Sequence, residues 1–210
     1  MSIFGVTSNE TGKRARSKAA NRRAILEAGR LVFARIGFEA CTVRDIIRET
    51  ELASGTFYNY FKSKEEVFEA IAEDSALRFR ERLTAVRART DTLEGYIREA
   101  FFAYFSFLVS ENGTELEEWA DQNHPLIGVR IDTPEMKATA REIRTDLERI
   151  LTTDHAPEVD VEYLTAAYIG IARDLGEVML TRRPVDVEGA TEFATKLALA
   201  GFASVTQQNS

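Results

Sequence analysis

The chain is poor in the residues that build covalent and metal chemistry. Cys41 is its one cysteine, which excludes an internal disulfide and a multi-cysteine metal site. Its two histidines, His124 and His155, are too few for a histidine-based metal centre. A glycine-rich phosphate loop, a metal-ligand cluster and a nucleophile–base signature are all missing. The acids are scattered as on solvated helix faces, so the chain reads as a non-enzyme with no cofactor. No apolar run approaches about 18 residues, which argues against a membrane span. The first twenty residues contain no apolar core of the kind a signal peptide carries. A reducing, cytoplasmic setting fits.

Low proline and glycine, 4 and 12 in 210 residues, leave long runs rich in Ala, Leu, Glu and Arg. That composition favours helix, and no strand-like alternation or internal repeat competes with it. The net charge of −7 hides an asymmetry. Residues 1–65 hold 12 Lys and Arg against 7 Asp and Glu, a net of +5; the other 15 and 27 give −12. A basic third joined to an acidic remainder suits a module that binds a polyanion and a body that does not.

The expected fold is all-α, with about nine helices: an N-terminal three-helix unit with a helix-turn-helix, and a C-terminal helical domain. Three segments are expected: 1–20 as a flexible basic arm, 21–65 as the helix-turn-helix domain, and 66–210 as the body. A first helix carries Ile25, Ala28, Leu31, Val32, Phe33 and Ile36 at helical spacing and stops at Gly37. Thr42-Val43-Arg44-Asp45 is a capping box for a short second helix. A third follows from about Ser54 to Tyr60. Ser63-Lys64-Glu65-Glu66 caps a long fourth helix, its acids placed where the helix dipole favours them. Further starts fall at Asp91, Thr114, Thr133-Pro134, Asp160 and Asp186.

Two short helices joined by a tight turn can lay the second in a major groove about 12 Å wide. The second here reads Gly55-Thr56-Phe57-Tyr58-Asn59-Tyr60-Phe61, with Lys62 and Lys64 after it. Thr56, Tyr58, Asn59 and Tyr60 can hydrogen-bond, while Phe57 and Phe61 face inward. This run resembles the TetR family, whose members usually carry Gly-Thr-x-Tyr-x-His-Phe followed by Lys. Phe33, Gly37-Phe38, Thr42-Val43 and Ile46 also fall where that pattern expects them, and the resemblance covers residues 24–71. The sequence departs from the pattern at three places. Glu51 stands where the turn usually has Gly, and a left-handed conformation there would cost about 1 kcal/mol. Ala53 replaces the usual N-cap Ser, leaving Ser54 to cap one residue later. Tyr60 replaces the common His.

Carried over position by position, the resemblance implies a DNA-contacting set of Thr42, Arg44, Ser54, Gly55, Thr56, Tyr58, Asn59, Tyr60, Lys62 and Lys64. Arg44 and Lys64 are expected on phosphates, Thr56 and Asn59 on bases. The basic segment from Lys13 to Arg23 either reaches DNA or is a solvated tail.

The segment 91–110 is rich in rings: Tyr96, Phe101, Phe102, Tyr104, Phe105 and Phe107. They cannot all share one helix face. They form either a core buried on two sides or, as the resemblance implies, an apolar pocket. The candidate pocket residues are Phe101, Tyr104, Phe105, Leu108, Trp119 and Arg173. Arg173 and Asp174 interrupt an apolar helix, and either pair with each other across the dimer or leave Arg173 to an anionic ligand. The last two helices are apolar nearly all round, as in a helix buried on both sides, and the expected dimer seam holds Tyr168, Leu175, Phe193, Leu197, Gly201 and Phe202. The expected whole is a regulator that binds double-stranded operator DNA as a homodimer, with no membrane partner, and answers to a small-molecule effector. A regulator controlled by a protein partner is the alternative.

Overall fold

The computed structural model describes residues 8–112, 133–153 and 159–207. Their regular elements are eight α-helices: α1 (Ser8–Ile36), α2 (Val43–Glu49), α3 (Ser54–Tyr58), α4 (Lys64–Arg87), α5 (Leu93–Asn112), α6 (Pro134–Thr153), α7 (Val161–Thr181) and α8 (Val187–Gln207). The helix expected to open at Thr114 lies outside the described residues. The chain divides into two compact units after Ile71, inside α4, where the sequence reading placed the division after Glu65.

In the first unit α1 is helical from Ser8, which corrects the expected flexible arm over residues 8–20; residues 1–7 lie outside the described residues. Ala, Arg and Lys dominate residues 13–20 and all favour helix, so the packed part of α1 extends backward without a breaker. The helix stops at Gly37, whose left-handed φ of 83° lets its N–H reach back to the Phe33 carbonyl at 3.0 Å. Thr42 and Asp45 form the expected capping box at α2: Asp45 accepts the Thr42 N–H at 2.9 Å, and the Thr42 hydroxyl accepts the Asp45 N–H. The turn into α3 is built by Thr50. Its hydroxyl donates to the Ile47 carbonyl at 2.8 Å and accepts the Leu52 N–H at 3.2 Å. Ile25, Val32, Phe33, Ile46, Phe57, Phe61, Val67 and Phe68 make the core.

In the second unit α5 packs on α7 and α8, and α7 also packs on α6. Side chains cap these helices at their third residue or close to it: Thr92 accepts the Gly95 N–H, Thr133 that of Met136, Asp160 those of Glu162 and Tyr163, and Asp186 that of Gly189. The core centres on Tyr96, Phe101, Phe105, Leu147, Ile150, Met179 and Leu180. Gly176 sets the closeness of α7 to α5, since a Cβ there would lie 2.5 Å from Leu108 Cδ1.

A ladder of charge fixes α4 to α6 in this unit. Arg80 and Arg87 stand two turns apart on α4, as do Glu135 and Glu142 on α6. Arg80 bonds Glu135 at 2.8 Å and also Glu142. Arg87 grips Asp146 through two bonds of 2.6 and 2.9 Å, and the Tyr96 hydroxyl donates to the same carboxylate at 3.1 Å. Asp146 is buried, so its charge is tolerable only because both oxygens are occupied.

Asp146→Ala strands the Tyr96 hydroxyl in the core, and is expected to lower the unfolding free energy by about 2–3 kcal/mol in urea titration. A loss under about 0.5 kcal/mol would show that the network does not hold α6. Arg80 keeps the Glu142 carboxyl below its usual range through their hydrogen bond. A depressed folded-state pKa gives stability that is complete above the unfolded value, about 4.3, and lost as pH falls through the folded one. Glu142→Gln is therefore expected to flatten the acid limb of the stability profile, and an unchanged limb would contradict the ladder.

Candidate nucleic-acid interface and body surfaces

The expected DNA-contacting residues gather on one edge of the first unit. α3 is one short helix whose apolar anchor, Phe57, is buried in the core with Phe61 close by. That anchorage leaves Ser54, Gly55, Tyr58 and Asn59 exposed and Thr56 and Tyr60 half-buried. Tyr58 is 56% exposed, an unusual position for a large ring that folding does not require. At Gly55 a Cβ would meet nothing within 4 Å. Packing therefore gives no reason for the glycine, which costs about 1 kcal/mol against alanine inside a helix. Arg44 and Lys62 are exposed as well. Thr42 lies at the surface, with its hydroxyl held by Asp45 at 2.6 Å.

Two expectations are corrected. Ser54 does not cap α3: it is the first helical residue, and Ala53 holds the cap position with no side-chain bond. Lys64 is not a free phosphate ligand. Its ammonium donates to the carbonyls of Phe38 at 2.7 Å, Glu39 at 3.2 Å and Cys41 at 3.0 Å, and lies 4.6 Å from the centre of the Phe38 ring. An ammonium has three N–H donors, and all three are committed. The signal available in the sequence was electrostatic. A cation in the first turn of a helix is opposed by the helix dipole, so Lys64 needed a partner elsewhere. Beneath it Phe33, Phe38 and Phe68 meet with ring centres 4.9–5.5 Å apart. Burial pushes the neighbouring Cys41 thiol up to about 11, so it stays protonated at neutral pH.

The pocket residues expected in the body separate into two kinds. Phe101 and Phe105 are buried and stack 6.0 Å apart, and Leu108 packs against Gly176, so these three are core side chains, which corrects their placement on a pocket wall. Tyr104 is half-buried, edge-on to Phe79 at 5.3 Å. Burial pushes its phenol up to about 12, and its hydroxyl makes no hydrogen bond among the described residues. Arg173 bonds its neighbour Asp174 at 2.7 Å within one chain. Trp119 lies outside the described residues.

The expected seam also divides. Tyr168 and Leu175 turn inward, Tyr168 donating to the Ala198 carbonyl at 3.5 Å, so neither is an exposed contact. Phe193, Leu197 and Gly201 are exposed on α8. Between α7 and α8 runs an open apolar groove of about 710 Å³, lined by Tyr163, Ala167, Leu197, Gly201, Phe202 and Val205 among others.

A three-helix core presenting a short polar helix with an exposed ring and an open glycine defines a helix-turn-helix protein. Residues 25–71 match the family model described as bacterial regulatory proteins, tetR family. An HTH-type transcriptional repressor of Mycobacterium tuberculosis is 27% identical over 140 residues, which is 61% of this chain and 72% of that protein. The fatty acid degradation regulator FadR of Bacillus halodurans superposes with a TM-score of 0.68 at 17% identity, covering 86% of this chain and 95% of its own. FadR of Bacillus subtilis in complex with stearoyl-CoA gives 0.65 at 18% identity, covering 85% and 98%. Residues 25–71 therefore carry a helix-turn-helix of the tetR type.

Lys64→Met removes the donor shared by three carbonyls, and is expected to cost about 1–3 kcal/mol. Lys62→Met, at an exposed ammonium, is expected to change stability by under about 0.5 kcal/mol. Equal effects of the two in thermal denaturation would contradict the clamp.

Proposed function

We propose that the protein is a repressor that binds a pseudo-palindromic operator as a homodimer and is released by a small, mainly apolar effector. The observation that carries the DNA half is α3 itself: Phe57 anchors it, while Tyr58, Asn59 and the open Gly55 face outward. A glycine with empty space above it admits the close approach of another backbone, here that of the duplex. Thr56 and Asn59 are the base readers, with Asn suited to the adenine edge. Arg44 and Lys62 take phosphates, and Tyr58 and Tyr60 take backbone or base edges. Lys64 serves this contact from behind, by fixing the turn before α2.

The α7–α8 groove supports the dimer. Phe193, Leu197, Val205 and Tyr163 expose large apolar surfaces on these two helices. A contiguous apolar patch of this kind marks an interaction site. Two copies meeting on it form a symmetric four-helix seam. It is the site of Phe193, Leu197, Gly201 and Phe202, with Tyr168 and Leu175 supporting from beneath.

The effector reading rests on Tyr104. A half-buried hydroxyl with no hydrogen-bond partner among the described residues can take one from a bound molecule, and the charge of Arg173 acts on the same phenol. Stearoyl-CoA in the Bacillus subtilis FadR structure is an effector-sized molecule held by the same fold. The tight α5–α7 contact at Gly176 favours a second reading, in which a protein partner replaces the small molecule. Mass spectrometry of the protein purified natively from its host separates them, through a bound small molecule or a bound polypeptide.

The test of the DNA half compares Gly55→Ala and Tyr58→Ala with the parent on a duplex selected from a random pool. Both variants are expected to fold, Gly55→Ala with stability unchanged or higher by up to about 1 kcal/mol. Both are expected to bind at least tenfold more weakly by fluorescence anisotropy. Full affinity in both would remove α3 from the interface. For the dimer, Leu197→Glu is expected to give a monomer in light scattering, and a persisting dimer would refute the seam.

A further inference from the structure

We propose that the exposed start of α1 is a rigid basic arm that lies along duplex phosphates beyond the segment read by α3, adding phosphate contacts of its own. The inference rests on the DNA-binding reading and extends it. α1 begins at Ser8, yet from residue 12 onward its first buried side chain is Ile25. Residues 13–20 are all exposed, and at about 1.5 Å per residue the helix from Lys13 to Ala24 spans roughly 16 Å. Nothing among the described residues of the unit requires that length.

The stretch has one chemistry. Lys13, Arg14, Arg16, Lys18, Arg22 and Arg23 fall within eleven residues, and no Asp or Glu occurs between positions 11 and 26. In the second unit several cations are matched by acids, as Arg80, Arg87, Arg144 and Lys196 are. None of the six arm cations makes an ion pair among the described residues. Arg14, Lys18 and Arg22 follow one another at four-residue spacing, so they form a single stripe along one side of the helix. Like charges at that spacing work against a helix in isolation. Sequences break such local rules where a function compensates, and a polyanion compensates this one.

The stripe is also placed beside the recognition segment. The Arg22 guanidinium lies 5.5 Å from the centre of the Phe61 ring, and Phe61 stands between Tyr60 and Lys62. The cationic stripe therefore starts where α3 and its flanking residues end. A membrane surface fits less well, because a helix lying in a bilayer interface needs a large apolar face. From 13 to 24 the arm's apolar residues are alanines alone.

The test uses the full chain with Arg14→Gln and Lys18→Gln together, keeping Arg22 because it packs on Phe61. Affinity for a random-sequence 30-base-pair duplex is measured by fluorescence anisotropy across a sodium chloride series. Each phosphate contact contributes about 0.9 to the slope of log Kobs against log salt. The double variant is expected to lower that slope by about 1.8 per bound chain and to weaken selected and random duplexes alike. Its helical circular dichroism should match the parent's, and the charge-keeping pair Arg14→Lys and Lys18→Arg should restore the slope. An unchanged slope in the double variant, with Tyr58→Ala still weakening the selected duplex, overturns the arm and leaves the DNA reading intact. A parent chain with no salt-dependent duplex binding overturns both. Binding to phosphatidylserine vesicles that the double variant abolishes, with the DNA slope unmoved, also overturns the arm.

Discussion

The Lys64 ammonium, held by three backbone carbonyls over the Phe38 ring, is the interaction on which the DNA-binding unit depends. The carbonyls belong to the turn between α1 and α2, which is not in a helix and so has no ladder to satisfy it. One side chain from the start of α4 provides those bonds. It thereby joins α4 to the turn that launches α2, and the Phe33, Phe38 and Phe68 rings fill the space beneath. The ion pair of Arg35 with Glu49 at 2.9 Å ties α1 to α2 on the surface, where such a pair adds little. With that turn fixed, the Thr42 box and the Thr50 turn set the direction of α2, and Phe57 sets the depth of α3. The polar face of α3 is outward because its one large apolar side chain is inward.

The second unit uses charge in a different way. Arg87, Asp146 and Tyr96 form a buried network in which the carboxylate has a donor on each oxygen, and Arg80 continues it toward the surface through Glu135 and Glu142. Such a network is weak as a source of stability compared with apolar packing, but it is costly to break from one side. It fixes a register between α4 and α6 that apolar contacts alone would leave free to slide. α4 contributes to both units, Val67 and Phe68 to the first core and Leu83 and Val86 to the second, so its register matters to each.

The helix-turn-helix was legible in the sequence because its signals are local. Gly37 ends a helix by its own backbone freedom, Thr42 and Asp45 cap α2 three residues apart, and Phe57 and Phe61 sit one turn apart. The Lys64 clamp was not legible, since it joins residues 23–26 positions apart in a turn that has no period. The arm was misread for a related reason: charge density resembles disorder, while helix propensity and a packed continuation decide otherwise. In the body, an all-round apolar helix conceals which side is buried. Tyr168 and Leu175 therefore read like Leu197, although Tyr168 is buried, Leu175 packs on the core and only Leu197 is exposed. Aromatic density along α5 likewise does not distinguish the stacked core of Phe101 and Phe105 from the half-buried Tyr104, whose hydroxyl has no hydrogen-bond partner among the described residues. The α4–α6 ladder left a faint trace, two arginines and two glutamates each seven apart, which has no meaning until the helices are seen to pair.

A three-helix unit that presents α3 to DNA, doubled through the exposed face of α7 and α8, is the arrangement proposed for this chain. Selection of bound duplexes from a random pool, followed by sequencing, tests it most directly. The prediction is an enriched pseudo-palindrome whose half-site centres lie about 10 base pairs apart, or a whole multiple of that, as two symmetric recognition helices demand. Enrichment of a single asymmetric site, or of no sequence at all, would contradict it.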